Sequence, residues 1–243
     1  MSIKGILLHP IKEECPYIEG RIAINENILI KEIDDPDLEL LLSLGFRHFG
    51  EIFFRPMCGP CHSCVPIRIP VQRFSPSKSV RRLFNRGKNL SIKLEKPSPS
   101  PEAFNLYKQH KKRFARNYPE SYDVYVKSFF HPPQFKFNRM LAIRDGDRLV
   151  ALSHLDVTAD AMSAIYCYFD EAYSRFSPGK LAVYKEIEIA KEMGIRWLYL
   201  GYYVRENRHM AYKVDFRPNQ LMVGNNKWID YIEGDAFASK PRA

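Results

Sequence analysis

The sequence predicts an α+β protein: a small cysteine-bearing N-terminal domain, residues 1–98, and a larger C-terminal domain, residues 99–243, with a mixed sheet and flanking helices. Three observations predict this. Period-2 apolar strands and helix-periodic segments interleave along the chain, four of the five cysteines lie before residue 65, and a Pro-rich stretch at 96–101 separates the halves. A chain of 243 residues can bury a sizeable core. No apolar run approaches the ~20 residues of a membrane span. The apolar start Ile6–Leu8 is broken by His9-Pro10, so no secretory signal is expected and a cytoplasmic address is.

The elements follow in order. Asp35 is placed to cap a short helix with Pro36 in its first turn, an apolar face of Leu38, Leu41 and Leu42, and Gly45 as its stop. Ile52–Phe54 and Val65–Val71 read as strands. In the second, Val65, Ile67, Ile69 and Val71 share one face, Arg68 points away, and Pro66 and Pro70 lack ladder donors, which predicts an edge or irregular strand. Ser77 then caps a basic helix that Gly87 stops. Ser100-Pro101-Glu102 opens another, with Phe104, Tyr107 and Phe114 inward and Lys108, Lys112 and Arg116 toward water. Met140–Ile143 and Leu149–Val157 are strands joined at Asp145-Gly146-Asp147, and Met162–Phe169 is a third. A helix over Lys180–Met193 ends at Gly194. A strand over Ile195–Leu200 ends at Gly201, and the tail after Lys227 is expected to be peripheral. Three antiparallel strands, a helix and a strand is the order of the acetyltransferase-like (GNAT) core.

Charge narrows the partners. The chain carries +9, yet the segment from Arg73 to Arg116 holds thirteen Lys and Arg against Glu95 and Glu102 alone, a net +11. The whole excess lies in one segment, the footprint of a polyanion-binding surface rather than an evenly solvated face. A membrane surface is not expected, because no amphipathic helix with an aromatic face accompanies the charge. The five cysteines are an odd number, and the spacing of Cys58, Cys61 and Cys64 reads as metal ligands or free thiols rather than a secreted disulfide framework.

The motifs are more specific in combination. Gly45-Phe46-Arg47, Phe54-Arg55-Pro56, the triple Cys58, Cys61, Cys64, the run Val65–Pro70 and Phe74-x-Pro76-Ser77-x-Ser79-x-Arg81-Arg82 together resemble the N-terminal domain of the arginyl/leucyl-tRNA–protein transferases. Ala164-x-Tyr166, Tyr168-Phe169-Asp170, Tyr199–Tyr202, Met210–Lys213 and Phe216-Arg217-Pro218 resemble that family's C-terminal domain. Size and cysteine pattern are similar to the bacterial aspartate/glutamate leucyltransferase branch. Membership would imply transfer of leucine from Leu-tRNA to the α-amine of proteins with N-terminal Asp or Glu, marking them for degradation in the N-degron pathway. The related eukaryotic branch transfers arginine. Phe176-Ser177-Pro178-Gly179-Lys180 departs from the small residues the family usually places before the long helix.

That chemistry sets modest demands. The donor ester is already activated, and an α-amine with pKa about 7.7–8.0 is partly neutral, so positioning and oxyanion stabilisation matter most. Asp170 is the general-base candidate, against a role as a turn or helix-entry residue. Tyr166 could contact the terminal adenosine and Lys213 steady a phosphate or an oxyanion, against ordinary strand and surface roles. A guanidinium fork suits the acceptor's carboxylate, and Arg55, Arg68 and Arg81 are the candidates, against structural arginines. Lys78, Arg82, Arg86, Lys88 and Lys112 would neutralise tRNA phosphates, with Tyr202 near the RNA end. Cys15 with Cys58, Cys61 and Cys64 would complete a four-sulfur site for zinc or an iron–sulfur cluster, a set supported by the metal-binding cysteines of related eukaryotic enzymes. No cofactor is required for the chemistry, and no DNA or membrane partner is expected.

Two rival readings remain. A CoA-dependent N-acetyltransferase needs an Arg/Gln-x-x-Gly-x-Gly/Ala loop, but counting from Arg175 the glycine positions hold Pro178 and Lys180. A non-catalytic zinc and RNA-binding module would explain the basic segment and cysteines but not the C-terminal motif set.

Overall fold

The computed structural model describes residues 3–113, 121–130, 135–224 and 226–233. Phe114 and Arg116 lie outside the described residues. A small antiparallel sheet comes first: β1 (Lys4–Leu8), β2 (Lys12–Glu14), β3 (Ile22–Glu32), β4 (Arg47–Phe49) and β5 (Ile52–Pro56) pair in the order β1-β3-β5-β4, with β2 also on β3. Helix α1 (Asp35–Ser43) sits within it. Its cap is Asp34, one residue earlier than expected, whose carboxylate accepts from the Asp37 N–H. The shift is possible because Asp34 and Asp35 precede the same Pro36 and either could serve as cap. Leu38, Leu41 and Leu42 are buried as their spacing requires.

The second sheet has eight strands. They are β6 (Val65–Pro70), β7 (Ser91–Glu95), β8 (Asn138–Asp145), β9 (Arg148–Val157), β10 (Ala161–Phe169), β11 (Trp197–Tyr203), β12 (Gln220–Val223) and β13 (Lys227–Asp230). Their order is β13-β12-β6-β11-β10-β9-β8-β7. Every neighbouring pair is antiparallel except β10 and β11, which are parallel. Parallel neighbours need a crossover, supplied by α5 (Pro178–Glu192). The GNAT-like order read from the sequence is therefore present. The expected division at 98 and 99 falls in the loop after β7, yet β6 and β7, which precede it, share this sheet with β8–β13.

Two sequence expectations are corrected here, and a third is narrowed. Of the two expectations for β6, an edge or an irregular strand, the second holds: the strand is interior and its pairing is irregular. Its prolines are accommodated because β12 pairs only with Ile67 and Arg68, between them, while β11 carries an irregularity between Tyr199 and Tyr202 opposite Pro66. Gly201 does not end β11. It lies inside the strand at φ +80°, forming that irregularity. The part of the tail just after Lys227 is not peripheral, since β13 forms one edge of the sheet and the Trp228 indole N–H donates to the Ser43 carbonyl at 3.0 Å, whereas residues 234–243 lie outside the described residues.

Strand β9 is buried from Leu149 to Val157, as a central strand covered on both faces must be. On one face Leu141, Ile143, Met162 and Leu198 pack beneath Leu181 and Ile187 of α5 and Val80 and Leu83 of α2 (Lys78–Arg86). On the other, Met140, Ala142, Leu152 and Tyr168 pack against α3 (Pro101–Lys111) and α4 (Tyr122–Phe129), while Ala161 and Tyr199 pack against α1 and the small sheet. After β11, α6 (Arg208–Ala211) and a 3-10 turn over Tyr212–Asp215 lead to β12. Among the described residues no helix is long and apolar enough to cross a membrane.

Candidate active site

Strands β10 and β11 pair only through Ala161–Ser163 and Trp197–Tyr199, although both continue beyond. Each is irregular at the point of parting, β10 between Ala164 and Tyr166 and β11 between Tyr199 and Tyr202. The result is a groove in the middle of the sheet. Ala164, Ile165, Tyr166 and Cys167 are half-exposed there, although β10 has neighbours on both sides. The start of α5 borders it: a Cβ on Gly179 would sit 3.0 Å from the Phe169 ring, and the Lys180 ammonium lies 3.9 Å from Asp215.

Lys213 sits at the β11 irregularity. Its ammonium donates to the Tyr202 carbonyl at 3.1 Å, and a Cβ on Gly201 would lie 3.5 Å from it. Desolvation, then the neighbouring Arg47 guanidinium, lower its pKa to about 7. Arg47 is buried beside it, donating to the Leu42, Phe46 and Gly201 carbonyls and stacking 5.2 Å from the centroid of Tyr199 and 5.8 Å from that of Tyr202. Tyr202 is buried, and its hydroxyl donates to the Gly45 carbonyl at 2.9 Å. Its ring therefore shapes the site from below rather than offering an open stacking face. The structure thus gathers Lys213 and Tyr202 from the expected set and adds Arg47, whose place in the Gly45-Phe46-Arg47 motif was visible but whose burial was not.

Other expected residues are placed elsewhere. Asp170 ends β10 and caps the following 3-10 turn, one oxygen accepting from the Ala172 N–H at 2.9 Å and the other from Arg148 at 2.6 Å. It fills the helix-entry role its position allowed. Tyr166 lies against Tyr107 and Phe129, with the Lys111 ammonium 5.7 Å from its ring centre, and burial raises its phenol pKa.

The three arginines do not converge. Arg55 pairs with Glu26 at 2.5 Å, and Arg81 donates to the Pro76 carbonyl. Arg68 is clasped between Trp197 and Trp228, 3.6 and 4.3 Å from their ring centres, and bonds to Gln220 and Tyr199. Among the described residues no carboxylate pairs with Arg68 within ion-pair distance. Lys78, Arg81, Arg82, Arg86 and Lys88 are all exposed along α2 and its C-terminal end. That helix packs on the first half of α5 through Phe84 with Tyr184 and Gly87 with Leu181. Lys112 is exposed at the end of α3.

Cys15, Cys58, Cys61 and Cys64 converge from distant parts of the sequence. The Ile18 and Ile24 N–H groups donate to Cys15 and Cys58 sulfurs at 3.4 Å, and Arg21 donates to Cys61 at 3.2 Å. Burial, then the three other thiols, pushes Cys64 up to about 12. Burial also raises Cys61, but the Ser63 and Arg21 donors outweigh it and hold that thiol below its usual value. Four soft donors, three of them receiving N–H groups, fit the chemistry of a thiolate-bound metal. As placed, no group of three or more Cys, His, Asp or Glu among the described residues has the geometry of a metal site.

Glu186 was missed entirely. It is 1% exposed in α5, and neither carboxylate oxygen has a hydrogen-bond partner. Its signal was Ala182 and Ala190, one turn to either side, which place a charged residue on a small-residue face that packs on the sheet.

Comparison with known proteins gives the family. The family model described as arginine-tRNA-protein transferase, N terminus, matches residues 13–82, and that for the C terminus matches residues 102–223. A protein named aspartate/glutamate leucyltransferase from Campylobacter jejuni is 33% identical over 90% of this chain and 94% of its own. One of the same name from Pseudomonas fluorescens is 34% identical over 78% of this chain and 80% of its own. The solved structure of L-PGS from Bacillus licheniformis matches at 15% identity and a TM-score of 0.46, over 74% of this chain and 55% of that one. With both halves matched and a relative 33% identical over 90% of this chain, the chain belongs to the arginine-tRNA-protein transferase family.

Proposed function

We propose that the protein transfers leucine from Leu-tRNA to the α-amine of polypeptides beginning with Asp or Glu, the activity named for its relatives in Campylobacter and Pseudomonas. The observation that carries this reading is the groove where β10 and β11 part, with Lys213 at its bulged wall. Direct aminolysis needs the amine and ester held together and a donor for the developing oxyanion. Lys213 suits that role. An anion forming beside it would raise its pKa again, so it gains charge as the intermediate does. Exposed cations on α2, one helix away, supply a surface for the phosphates of the tRNA acceptor end.

Arg68 is the acceptor-carboxylate candidate of the original three, since Arg55 is already paired with Glu26 and Arg81 lies out on α2. Its guanidinium is oriented by two indoles and pairs with no carboxylate among the described residues. The four cysteines are proposed as ligands of a zinc ion or iron–sulfur cluster that orders the N-terminal segment, supported by the convergence of their sulfurs. Such a group would be structural, and no step of the transfer passes through it. Protein purified anaerobically is expected to carry near-stoichiometric zinc or iron by elemental analysis. A fully active metal-free preparation would remove this proposal.

The transfer itself is tested by offering the purified protein an Asp- or Glu-initiated peptide with labelled Leu-tRNA, Arg-tRNA or acetyl-CoA in turn. Label is expected on the peptide from Leu-tRNA. Transfer from acetyl-CoA alone would overturn the reading, and no transfer from any donor would favour a binding module.

A further inference from the structure

An RNA lying on α2 brings more than its phosphates. Along a single strand the bases are unstacked, and each is a flat ring with apolar faces and a polar edge. A site for one base therefore needs apolar walls with hydrogen-bonding groups at the rim.

Such a site lies beside α2. A hollow of about 290 Å³ opens between the C-terminal end of α2, the start of β7 and the second half of α5. Its walls are Phe84, Leu90, Ile92 and Ile189. Leu90 is buried and the other three are half-exposed, so apolar surface faces the opening. The rim is polar. Lys185 is held there twice, its ammonium 2.7 Å from a Glu188 carboxylate oxygen and 4.2 Å from the centre of the Phe84 ring. Glu192 lines the same hollow, is exposed, and takes part in no ion pair among the described residues. Outside the opening the charge is of the other sign. Arg82, Arg86 and Lys88 are exposed, and α2 holds no acid.

This combination selects its occupant. Two carboxylates in the hollow repel a phosphate, and Lys185 is already paired. The charged rim is equally ill suited to a purely apolar chain. An unpaired nucleobase satisfies every group: its ring meets the apolar walls, an exocyclic amino group donates to Glu192, and the flanking phosphates meet Arg82, Arg86 and Lys88. The position fits as well. Gly87 also lines the hollow and lies against Leu181 in the first turn of α5, where an added Cβ would come 2.9 Å from that side chain. The groove borders the same end of α5 at Gly179 and Lys180. From Gly179 to Lys185 is about 9 Å along the helix at 1.5 Å per residue. A strand whose 3′ end sits in the groove reaches the hollow with a base only a few nucleotides upstream.

We propose that this hollow receives one unpaired base from the 3′ strand of the donor tRNA, upstream of the aminoacylated adenosine. The proposal rests on the aminoacyl-tRNA reading above and adds to it a contact with a base where α2 offers contacts with phosphates alone.

The test uses Leu-tRNA lacking the base at one unpaired 3′ position at a time, the terminal adenosine excepted, each leucylated before the assay. Every donor is offered with an Asp-initiated peptide to wild type and to I92W, whose indole fills the hollow from β7. In wild type, loss of one particular base should lower kcat/KM by about 5- to 100-fold, the range of a stacked base. I92W should be lowered with intact Leu-tRNA and then be indifferent to removal of that base. Equal kcat/KM for all the donors in wild type, or the same sensitivity in I92W, would overturn the proposal while leaving leucyl transfer intact. Wild type inactive with intact Leu-tRNA would overturn both. Should I92W fail to fold, I92F makes the same comparison with a smaller ring.

Discussion

Burial of a single ionisable side chain ties the stability of the fold to pH. Glu186 illustrates this. Burial raises its carboxyl pKa to about 7 from an ordinary 4.5, a shift that the Ser153 hydroxyl only partly opposes. Below about pH 4.5 the group is protonated in both folded and unfolded chains and contributes no difference. Between 4.5 and 7 the folded protein holds the proton more tightly, so stability falls as pH rises through that window. E186Q removes the fall. Its stability relative to wild type, measured by denaturant unfolding, is expected to improve by about 2–3 kcal/mol between pH 4.5 and 7.5. Cys167 and Tyr212, its titratable neighbours, have raised pKa values and stay neutral across the window. Residue identity alone could not have shown this, because a glutamate between Lys185 and Ile187 reads as an exposed helical residue until Ala182 and Ala190 are seen to share its face. His154 is similar. Its burial lowers its pKa to about 3 and sets it 3.2 Å from the Tyr168 hydroxyl, which lies 2.5 Å from that of Tyr125. Nothing in the local sequence announces that chain of contacts.

Elements with strong local signals were legible, and those governed by distant pairing were not. Helix α2 was readable because Ser77 and Gly87 bracket it and Val80 and Leu83 give it one buried side. The β8–β9 hairpin was readable because Gly146 adopts φ +58° in a two-residue turn. Strand β6 could be read only as an edge or an irregular strand, because its prolines report only what the strand cannot donate, while the neighbours that decide between the two lie more than a hundred residues away at Tyr199 and Gln220. Strands β1, β2, β3, β4, β7 and β12 also went unread. The clear signal of α2 supports a prediction. R82A/R86A/K88A should leave folding unchanged, because all three side chains are exposed. It should weaken tRNA binding and reduce the slope of log affinity against log salt by about 2–3. Binding titrations over a salt series check this, and an unchanged slope would move the RNA surface off this helix.

In the molecule as a whole, the site is assembled from both ends of the sequence. Gly45 and Arg47, Gly201 and Tyr202, and Lys213 meet within hydrogen-bond reach of one another's backbone. The family resemblance was legible because its motifs are local, but their meeting point depended on the sheet order. A fragment comprising residues 99–243 is accordingly expected not to fold cooperatively, since it would lack β6 between β11 and β12 and β7 beside β8. Loss of a sigmoidal unfolding transition, followed by circular dichroism, is the expected result, and a fragment as cooperative as the full chain would contradict it. The interior position of β6 also bears on synthesis. A nascent chain leaves the ribosome with its Val65–Pro70 segment complete long before Trp197–Tyr203 has been made, so this strand must wait, unpaired, through most of translation. Its two prolines, awkward in the finished ladder, deny a stray neighbour two of the hydrogen bonds on which premature association would rely.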